Sequence, residues 1–188
     1  PPDAPGGMAT LLAGCARLGI TLDEQQVGQF EAYYRELVAW NERLNLTTIT
    51  GYEDVQVKHF LDSLVSLPLL AEELRLKLPL TKPLKLVDVG SGAGFPGIPL
   101  KIAAPALDVT LMDGTAKKVH FLEEIIHTLG LEGCRVVQGR AEELARLAVE
   151  AQDNYQYNHE GVQIIGAYAR LGTVFALQNR FDEAIAEY

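Results

Sequence analysis

The sequence has few of the residues that define several common classes of protein. Its two cysteines, Cys15 and Cys134, are too few for a disulfide framework or a cysteine-based zinc site. We therefore expect two free thiols in a reducing compartment. No apolar run has the length that a bilayer span needs, and no basic region leads into an apolar stretch at the N-terminus. These absences favour a cytoplasmic protein without a secretory signal and without membrane contact.

Basic residues are also scarce. Sixteen Lys and Arg residues stand against 25 Asp and Glu residues, for a formal net charge of −9. Contacts to nucleic-acid phosphates need clustered Lys and Arg, so the charge argues against a strongly nucleic-acid-binding surface. An RNA ligand would need a local basic patch, or a partner that supplies the attraction. Apolar residues make up 48% of the 188 residues, as in globular proteins, and the length suits one domain, or one domain with a fragment.

The spacing of apolar residues divides the chain into a helical part and an alternating part. Helical spacing predicts three helices at about residues 11–18, 23–42 and 53–70, with Thr21 and Glu24 as a capping box before the second. Short apolar runs at 84–89, 109–112 and 135–138 then predict buried parallel strands, with helices between them at about 99–103 and 117–129. This alternation predicts an α/β fold, a Rossmann-like half-domain at 81–152 behind an N-terminal helical cap at 1–80.

A glycine-rich loop follows the first predicted strand, with alternating glycines at Gly90, Gly92 and Gly94. Glycine allows positive φ and a close approach of the backbone to a ligand. Asp113 ends the next strand, where an acid can hydrogen-bond ribose hydroxyls. This context favours a nucleotide-type ligand over a tight turn in another α/β protein. The dinucleotide fingerprint spaces its last two glycines three apart. The alternating spacing here, followed by Pro96-Gly97, looks like the first motif of class I methyltransferases.

Four segments together resemble one family, the GidB-type ribosomal RNA small subunit methyltransferase G. They occur in family order over about residues 8–150, and they are WNERLNLT at 40–47, KHFLDS at 58–63, the loop at 90–97 and GRAEE at 139–143. Members of this family use S-adenosyl-L-methionine to methylate N7 of a guanine in 16S ribosomal RNA. The resemblance implies the same cofactor here, no metal, and 16S ribosomal RNA or the small ribosomal subunit as partner.

The resemblance also implies a set of site residues, although it assigns no catalytic residue. Lys58 and His59 would lie on the helical cap near the substrate. His59 is equally well explained as a histidine bonded between helices. Asp113, Gly114 and Thr115 would hold the ribose side, and Ala141 and Glu142 would flank the adenine. The implied cofactor-binding residues are Gly90, Gly92, Gly94, Phe95, Asp113, Gly114, Thr115, Ala141 and Glu142.

The sequence departs from the family after the third predicted strand. It shows no Asp-containing fourth strand, no Arg-Ala motif and no later Lys-Gly stretch, so we expect a sheet truncated after its third strand. Residues 153–188 are instead predicted to be helical, with helices at 162–178 and 180–188. Residues of about 165–188 resemble a tetratricopeptide repeat, or else form an ordinary helical hairpin.

This departure leaves three hypotheses for the function. The chain is a ribosomal RNA methyltransferase whose activity is weakened by missing strands, a non-catalytic module that binds cofactor or protein, or a chimera with a repeat-like C-terminus. Without a fourth strand, the strand at 84–89 would have one unpaired edge. An apolar unpaired edge invites pairing with another chain. The C-terminal helices could cover this edge but could not replace its hydrogen bonds, so we expect self-association through the edge or through these helices, or low stability.

Overall fold

The computed structural model describes residues 7–139 and the strand at 162–166. The chain begins with a group of helices that forms the predicted cap. Their bounds are α1 Ala9–Arg17, α2 Glu24–Leu44, α3 Tyr52–Val55, a π-helical turn Gln56–Leu61, α4 Asp62–Leu64 and α5 Ser66–Glu73. Among all the described residues, no helix is long and apolar enough to cross a membrane.

Helix α2 has a capping box, but two residues later than the one that the sequence predicts. The Asp23 side chain accepts a hydrogen bond from the Gln26 N–H, and Gln26 Oε1 accepts one from the Asp23 N–H, both at 2.8 Å. Two N–H groups without helical partners are thereby satisfied. The helix ends at Leu44, and the next residue, Asn45, has a φ of 49° in the left-handed region.

The helix predicted at 53–70 is interrupted by the π-helical turn. A π-helical turn is wider than an α-helical turn, so the side chains that follow it are rotated relative to a regular helix. Helical spacing places Val57, Phe60, Leu64 and Val65 on one face of this helix, which we expect to be buried. Phe60 and Leu64 are buried, but Val57 and Val65 are 45% and 42% exposed. The prediction for these two residues is therefore wrong.

A parallel sheet follows the cap, with strands in the order β3-β2-β1-β4. The strands are β1 Leu84–Val89, β2 Leu107–Asp113, β3 Cys134–Gln138 and β4 Val162–Gly166. Helix α6 at Gly97–Ala103 follows β1, and α7 at Ala116–Leu129 follows β2. The Rossmann-like α/β fold with a helical cap is confirmed.

Strand β4 corrects the expectation of a sheet truncated after three strands. It pairs in parallel with β1, from Lys85 opposite Val162 to Val89 opposite Gly166. The predicted helix from residue 162 is wrong over these five residues, and so is the predicted unpaired edge on the strand at 84–89. A short apolar run fits either a strand or a buried helix by its pattern alone, and here pairing with β1 decides for the strand.

The remainder of the predicted C-terminal helices, at 167–188, lies outside the described residues together with the repeat-like pattern. The domain boundaries near residues 80 and 152 stay predictions.

One hydrophobic core joins the cap to the sheet. Phe30 and Leu37 of α2 belong to the same buried cluster as Leu86 of β1 and Leu111 of β2. The thiols Cys15 and Cys134 are free. Burial raises their pKa to about 11 and about 12, so both stay protonated at neutral pH.

Amide hydrogen exchange should confirm that β1 is a central strand. Successive N–H groups of a strand point to opposite neighbours, so pairing on both sides protects all of them. We expect slow exchange at every amide from Leu86 to Val89, comparable to that of β2, which also lies between two strands. Exchange of alternate amides at unprotected rates would contradict the pairing of β1 with β4.

Candidate cofactor-binding site

The loop between β1 and α6 is folded back onto the end of β2. The N–H groups of Gly90 and Ser91 both donate to the Met112 carbonyl, at 2.8 and 2.9 Å. The N–H groups of Gly94 and Phe95 both donate to the Ser91 carbonyl, at 2.7 and 3.1 Å. The predicted ligand loop is therefore a tight structure in which these four N–H groups bond within the chain.

The glycines of this loop serve different purposes. Gly92 has a φ of +58°, but a Cβ there would meet only the Gly90 carbonyl oxygen at 3.8 Å. Gly94 has a φ of +96°, and a Cβ would lie 2.4 Å from Ile98 Cδ1 and 2.7 Å from Tyr33 Oη. Conformation thus favours glycine at both positions. At Gly94, close packing against Ile98 of α6 and Tyr33 of the cap favours glycine in addition.

The cap reaches the loop through Tyr33. This residue is fully buried, and its hydroxyl donates to the Ala93 carbonyl. Burial, and to a smaller extent the nearby Asp88 carboxylate, raises the pKa of Tyr33 well above its usual range. The phenol therefore remains a hydrogen-bond donor to the loop at any physiological pH.

Asp88 anchors the loop from below, and the sequence did not identify it as a site residue. It is fully buried, and its Oδ2 accepts a hydrogen bond from the Gly97 N–H at 3.0 Å. Within residues 7–139 and 162–166, its Oδ1 has no hydrogen-bond partner. Burial raises its pKa to about 7, against the opposing effect of the Gly97 bond, and the Asp113 carboxylate adds to the rise. The sequence feature that could have identified Asp88 is an acidic residue within the apolar run of the first strand.

Asp113 lies at the end of β2, against the same loop. It is 5% exposed. Its Oδ2 accepts from the Gly92 N–H at 3.0 Å, and its Oδ1 accepts from the Thr115 N–H at 2.8 Å. Lys118 Nζ lies 3.7 Å from Oδ2. Each carboxylate oxygen has more than one lone pair, so Asp113 can bind the loop and still accept a bond from a ligand hydroxyl.

The structure brings seven of the nine predicted cofactor residues together at the carboxyl ends of β1 and β2. Gly90, Gly114 and Thr115 are exposed there, while Gly92 and Phe95 are partly exposed. Ala141 and Glu142 lie outside the described residues. Within residues 7–139 and 162–166, no cluster of His, Cys, Asp and Glu could hold a metal ion.

The electrostatics of the site disfavour a phosphate ligand. The first N–H groups of α6 are already bonded, that of Gly97 to Asp88 and that of Ile98 to the Gly94 carbonyl at 2.8 Å. A pyrophosphate would need free donors at this position. Two carboxylates, those of Asp88 and Asp113, lie close enough for one to raise the pKa of the other. Asp88 is about half protonated at neutral pH and Lys118 lies beside Asp113, so the negative charge here is modest. The main observation against an anionic ligand is therefore that the N–H groups at the start of α6 are already bonded.

His59 is brought to the loop, whereas Lys58 bonds elsewhere. The His59 imidazole is stacked on the Phe95 ring with 4.5 Å between centroids and 14° between planes. Its Nε2 is 2.8 Å from Thr47 Oγ1 in the turn after α2, so the same ring also contacts another part of the cap. Lys58 forms an ion pair with Asp54 at 2.6 Å, and both side chains are 56% exposed.

The comparisons with known proteins agree on one family. The family model described as "GidB: rRNA small subunit methyltransferase G" matches residues 26–176. A ribosomal RNA small subunit methyltransferase G of Dehalococcoides mccartyi is 52% identical over 139 residues, which are 74% of this chain and 55% of the relative. The protein of the same name from Leuconostoc mesenteroides is 48% identical over the same shares, and that from Streptococcus suis is 45% identical over 68% of this chain and 51% of the relative. The chain spans about half the length of the curated relatives it matches.

Substitution of the two loop glycines should separate conformation from packing. Gly92→Ala imposes only the cost of a positive φ, about 1–2 kcal/mol. Gly94→Ala adds a clash with the buried Tyr33, and we expect it to lower the free energy of unfolding by a further 1 kcal/mol or so. Urea unfolding of both variants measures the difference. Equal losses would mean that Tyr33 does not pack tightly against the loop.

Asp88→Asn should change how stability depends on pH. The pKa of Asp88 rises from 3.8 to about 7 on folding, so the folded state binds the proton more tightly. The contribution of Asp88 to stability is therefore full below about pH 4 and is lost as pH rises to about 7. We expect the wild type to lose stability relative to Asp88→Asn over this range, by at most about 1.4 kcal/mol per pH unit.

Urea unfolding between pH 5 and pH 8 measures this difference. Asp108→Asn is the control, because Asp108 is partly exposed in an ion pair with Arg135. Parallel stability curves for the wild type and Asp88→Asn would contradict the assignment.

Proposed function

This chain belongs to the GidB family of ribosomal RNA small subunit methyltransferase G proteins, and we propose that it methylates ribosomal RNA with S-adenosyl-L-methionine bound at the glycine loop. The observation that carries the proposal is the loop itself. Most of its N–H groups are bonded within the chain, those of Gly90 and Ser91 to Met112 and that of Gly92 to Asp113. The Asp88 and Asp113 side chains lie against it, and Gly90 is exposed on its outer side. S-adenosyl-L-methionine carries a sulfonium cation and no phosphate, and so suits this site better than a dinucleotide does.

The residues present fit the cofactor. Asp113 would accept bonds from the ribose hydroxyls through its remaining lone pairs, with Gly114 and Thr115 beside it. Gly90, Gly92, Gly94 and Phe95 would line the methionine side, and Ala141 and Glu142 would flank the adenine, as the family resemblance implies. When bound, the cofactor supplies a methyl group on a positively charged sulfur.

The finer proposal is that the acceptor is N7 of a guanine in 16S ribosomal RNA, presented by the RNA or by the small ribosomal subunit in the cytoplasm. Guanine N7 has a free lone pair, so no general base is needed to create the nucleophile. Catalysis would then depend on holding the base in line with the methyl group. His59 and Phe95 would form the wall on the cap side of this position, and Lys58 would act only at the periphery.

The alternative hypotheses receive less support. The family match continues to residue 176, past residue 150 where the motif resemblance ends, which disfavours a chimera. Strand β4 also removes the basis for self-association through the edge of β1, because both edges of β1 are paired. A non-catalytic module that binds cofactor remains the alternative that an experiment must separate.

The experiment has a binding arm and a transfer arm. Asp113→Ala removes the proposed ribose contact and the bond to the Gly92 N–H, so we expect calorimetry with S-adenosylhomocysteine to show at least about tenfold weaker binding. Asp108→Ala is the matched control, because Asp108 lies near the opposite end of β2 in an exposed ion pair. Unchanged affinity in Asp113→Ala would contradict the site.

The transfer arm uses tritiated S-adenosyl-L-methionine with small ribosomal subunits. We expect label at N7 of a guanine in 16S RNA, reduced in Asp113→Ala and retained in Asp108→Ala. Binding of S-adenosylhomocysteine without any transfer to RNA would support the non-catalytic module instead.

A further inference from the structure

The turn after α2 contacts His59, which stacks on the proposed cofactor loop, through the side chain of Thr47. Its N–H donates to Asn41 Oδ1 at 2.8 Å, and its Oγ1 accepts from the Ile49 N–H at 3.0 Å. These two bonds fix the position of the threonine from both sides. Its hydroxyl then lies 2.8 Å from His59 Nε2.

The next contact in this series lies between His59 and Phe95. With 4.5 Å between centroids and 14° between planes, the two rings are in direct contact, and no nucleic-acid base fits between them. Phe95 belongs to the glycine loop, where its N–H donates to the Ser91 carbonyl. A change in the orientation of the imidazole is therefore transmitted directly to a side chain of the loop.

The backbone that carries His59 is fixed independently of Thr47. Ser63 Oγ donates to the His59 carbonyl at 2.6 Å, and the neighbouring Phe60 is fully buried against Phe30 and Tyr33. Thr47 and His59 themselves are only partly buried. Removal of the Thr47 hydroxyl can consequently alter the imidazole ring without unfolding the helices that hold it.

We propose that Thr47 is a positioning residue, whose hydroxyl holds the His59 imidazole parallel to Phe95. It thereby fixes the two rings that form the cap side of the proposed site. This inference rests on the proposed function, because the orientation of the two rings affects activity only if the loop binds the cofactor. It assigns a purpose to the turn after α2, which lies far from the loop in sequence. Thr47 acts through His59 and is not itself a catalytic residue.

The test compares Thr47→Val, which keeps the shape and removes the hydroxyl, with Thr47→Ser, which keeps the hydroxyl. Thr48→Val is the matched control, because Thr48 is the exposed neighbour. The first readout is the pair of imidazole ¹⁵N resonances of His59, which report its tautomer and hydrogen bonding. The second is the affinity for S-adenosylhomocysteine by calorimetry, and the third is KM and kcat for methyl transfer to small ribosomal subunits.

We expect Thr47→Val to move the ¹⁵N resonances of His59 and to weaken S-adenosylhomocysteine binding about threefold to tenfold, the usual effect of one hydrogen bond. Thr47→Ser should restore both, and Thr48→Val should change neither. Far-ultraviolet circular dichroism and the urea midpoint of Thr47→Val show whether the variant is folded.

Two results would overturn the inference while leaving the proposed function intact. Wild type that binds S-adenosylhomocysteine, with Thr47→Val unchanged in resonances and affinity, would show that the threonine does not orient the ring. Shifted resonances with unchanged affinity, KM and kcat would show that the ring orientation does not affect the site. Wild type that neither binds S-adenosylhomocysteine nor transfers a methyl group would instead refute the proposed function, and the inference with it.

Discussion

The glycine loop depends on a buried carboxylate that occupies space next to a helix start. Asp88 Oδ2 accepts from the Gly97 N–H at 3.0 Å, and a Cβ on Gly97 would lie 2.8 Å from that same oxygen and 2.3 Å from Leu111 Cδ2. The strand end and the helix start can approach this closely only because residue 97 is glycine. Burial makes the charged form of Asp88 costly, as its raised pKa indicates. The buried carboxylate gives the loop a defined shape, but its burial costs free energy that the rest of the fold must offset.

The sequence predicts those features that depend on local pattern. The first three strands, the glycine motif and the placement of Asp113 follow from apolar runs and glycine spacing, and each lies within a few residues of its predicted bounds. Features that depend on distant partners are not predictable in this way. Strand β4 depends on pairing with the free edge of β1. The π-helical turn at Gln56–Leu61 has no distinct pattern of apolar residues in the sequence. The stack of His59 on Phe95 likewise requires the cap to dock on the loop, so sequence reasoning left the role of His59 open.

The negative net charge of the chain bears on whether the proposed site can accept RNA. The negative charge of Asp113, with that of Asp88 when it is deprotonated, suits the proposed cationic cofactor but also repels RNA phosphates. In salt at physiological strength such repulsion extends over only about 8 Å. The proposed RNA base could therefore enter the site if its phosphates stayed beyond that distance, with the attraction coming from outside the loop. A net charge of −9 is compatible with an RNA substrate on these terms.

The aromatic contacts show that the cap is a physical part of the site. Phe95 of the loop packs against Tyr33 of α2 at 5.5 Å and against Phe60 of the π-helical turn at 6.2 Å, measured between ring centroids. Tyr33 also bonds the loop backbone at Ala93. A half-domain cut from the cap at residue 80 would lose these contacts and expose the loop's apolar face. The loop geometry that suits a cofactor is thus a property of both parts together, since Phe95 of the loop packs against aromatic rings that the cap supplies.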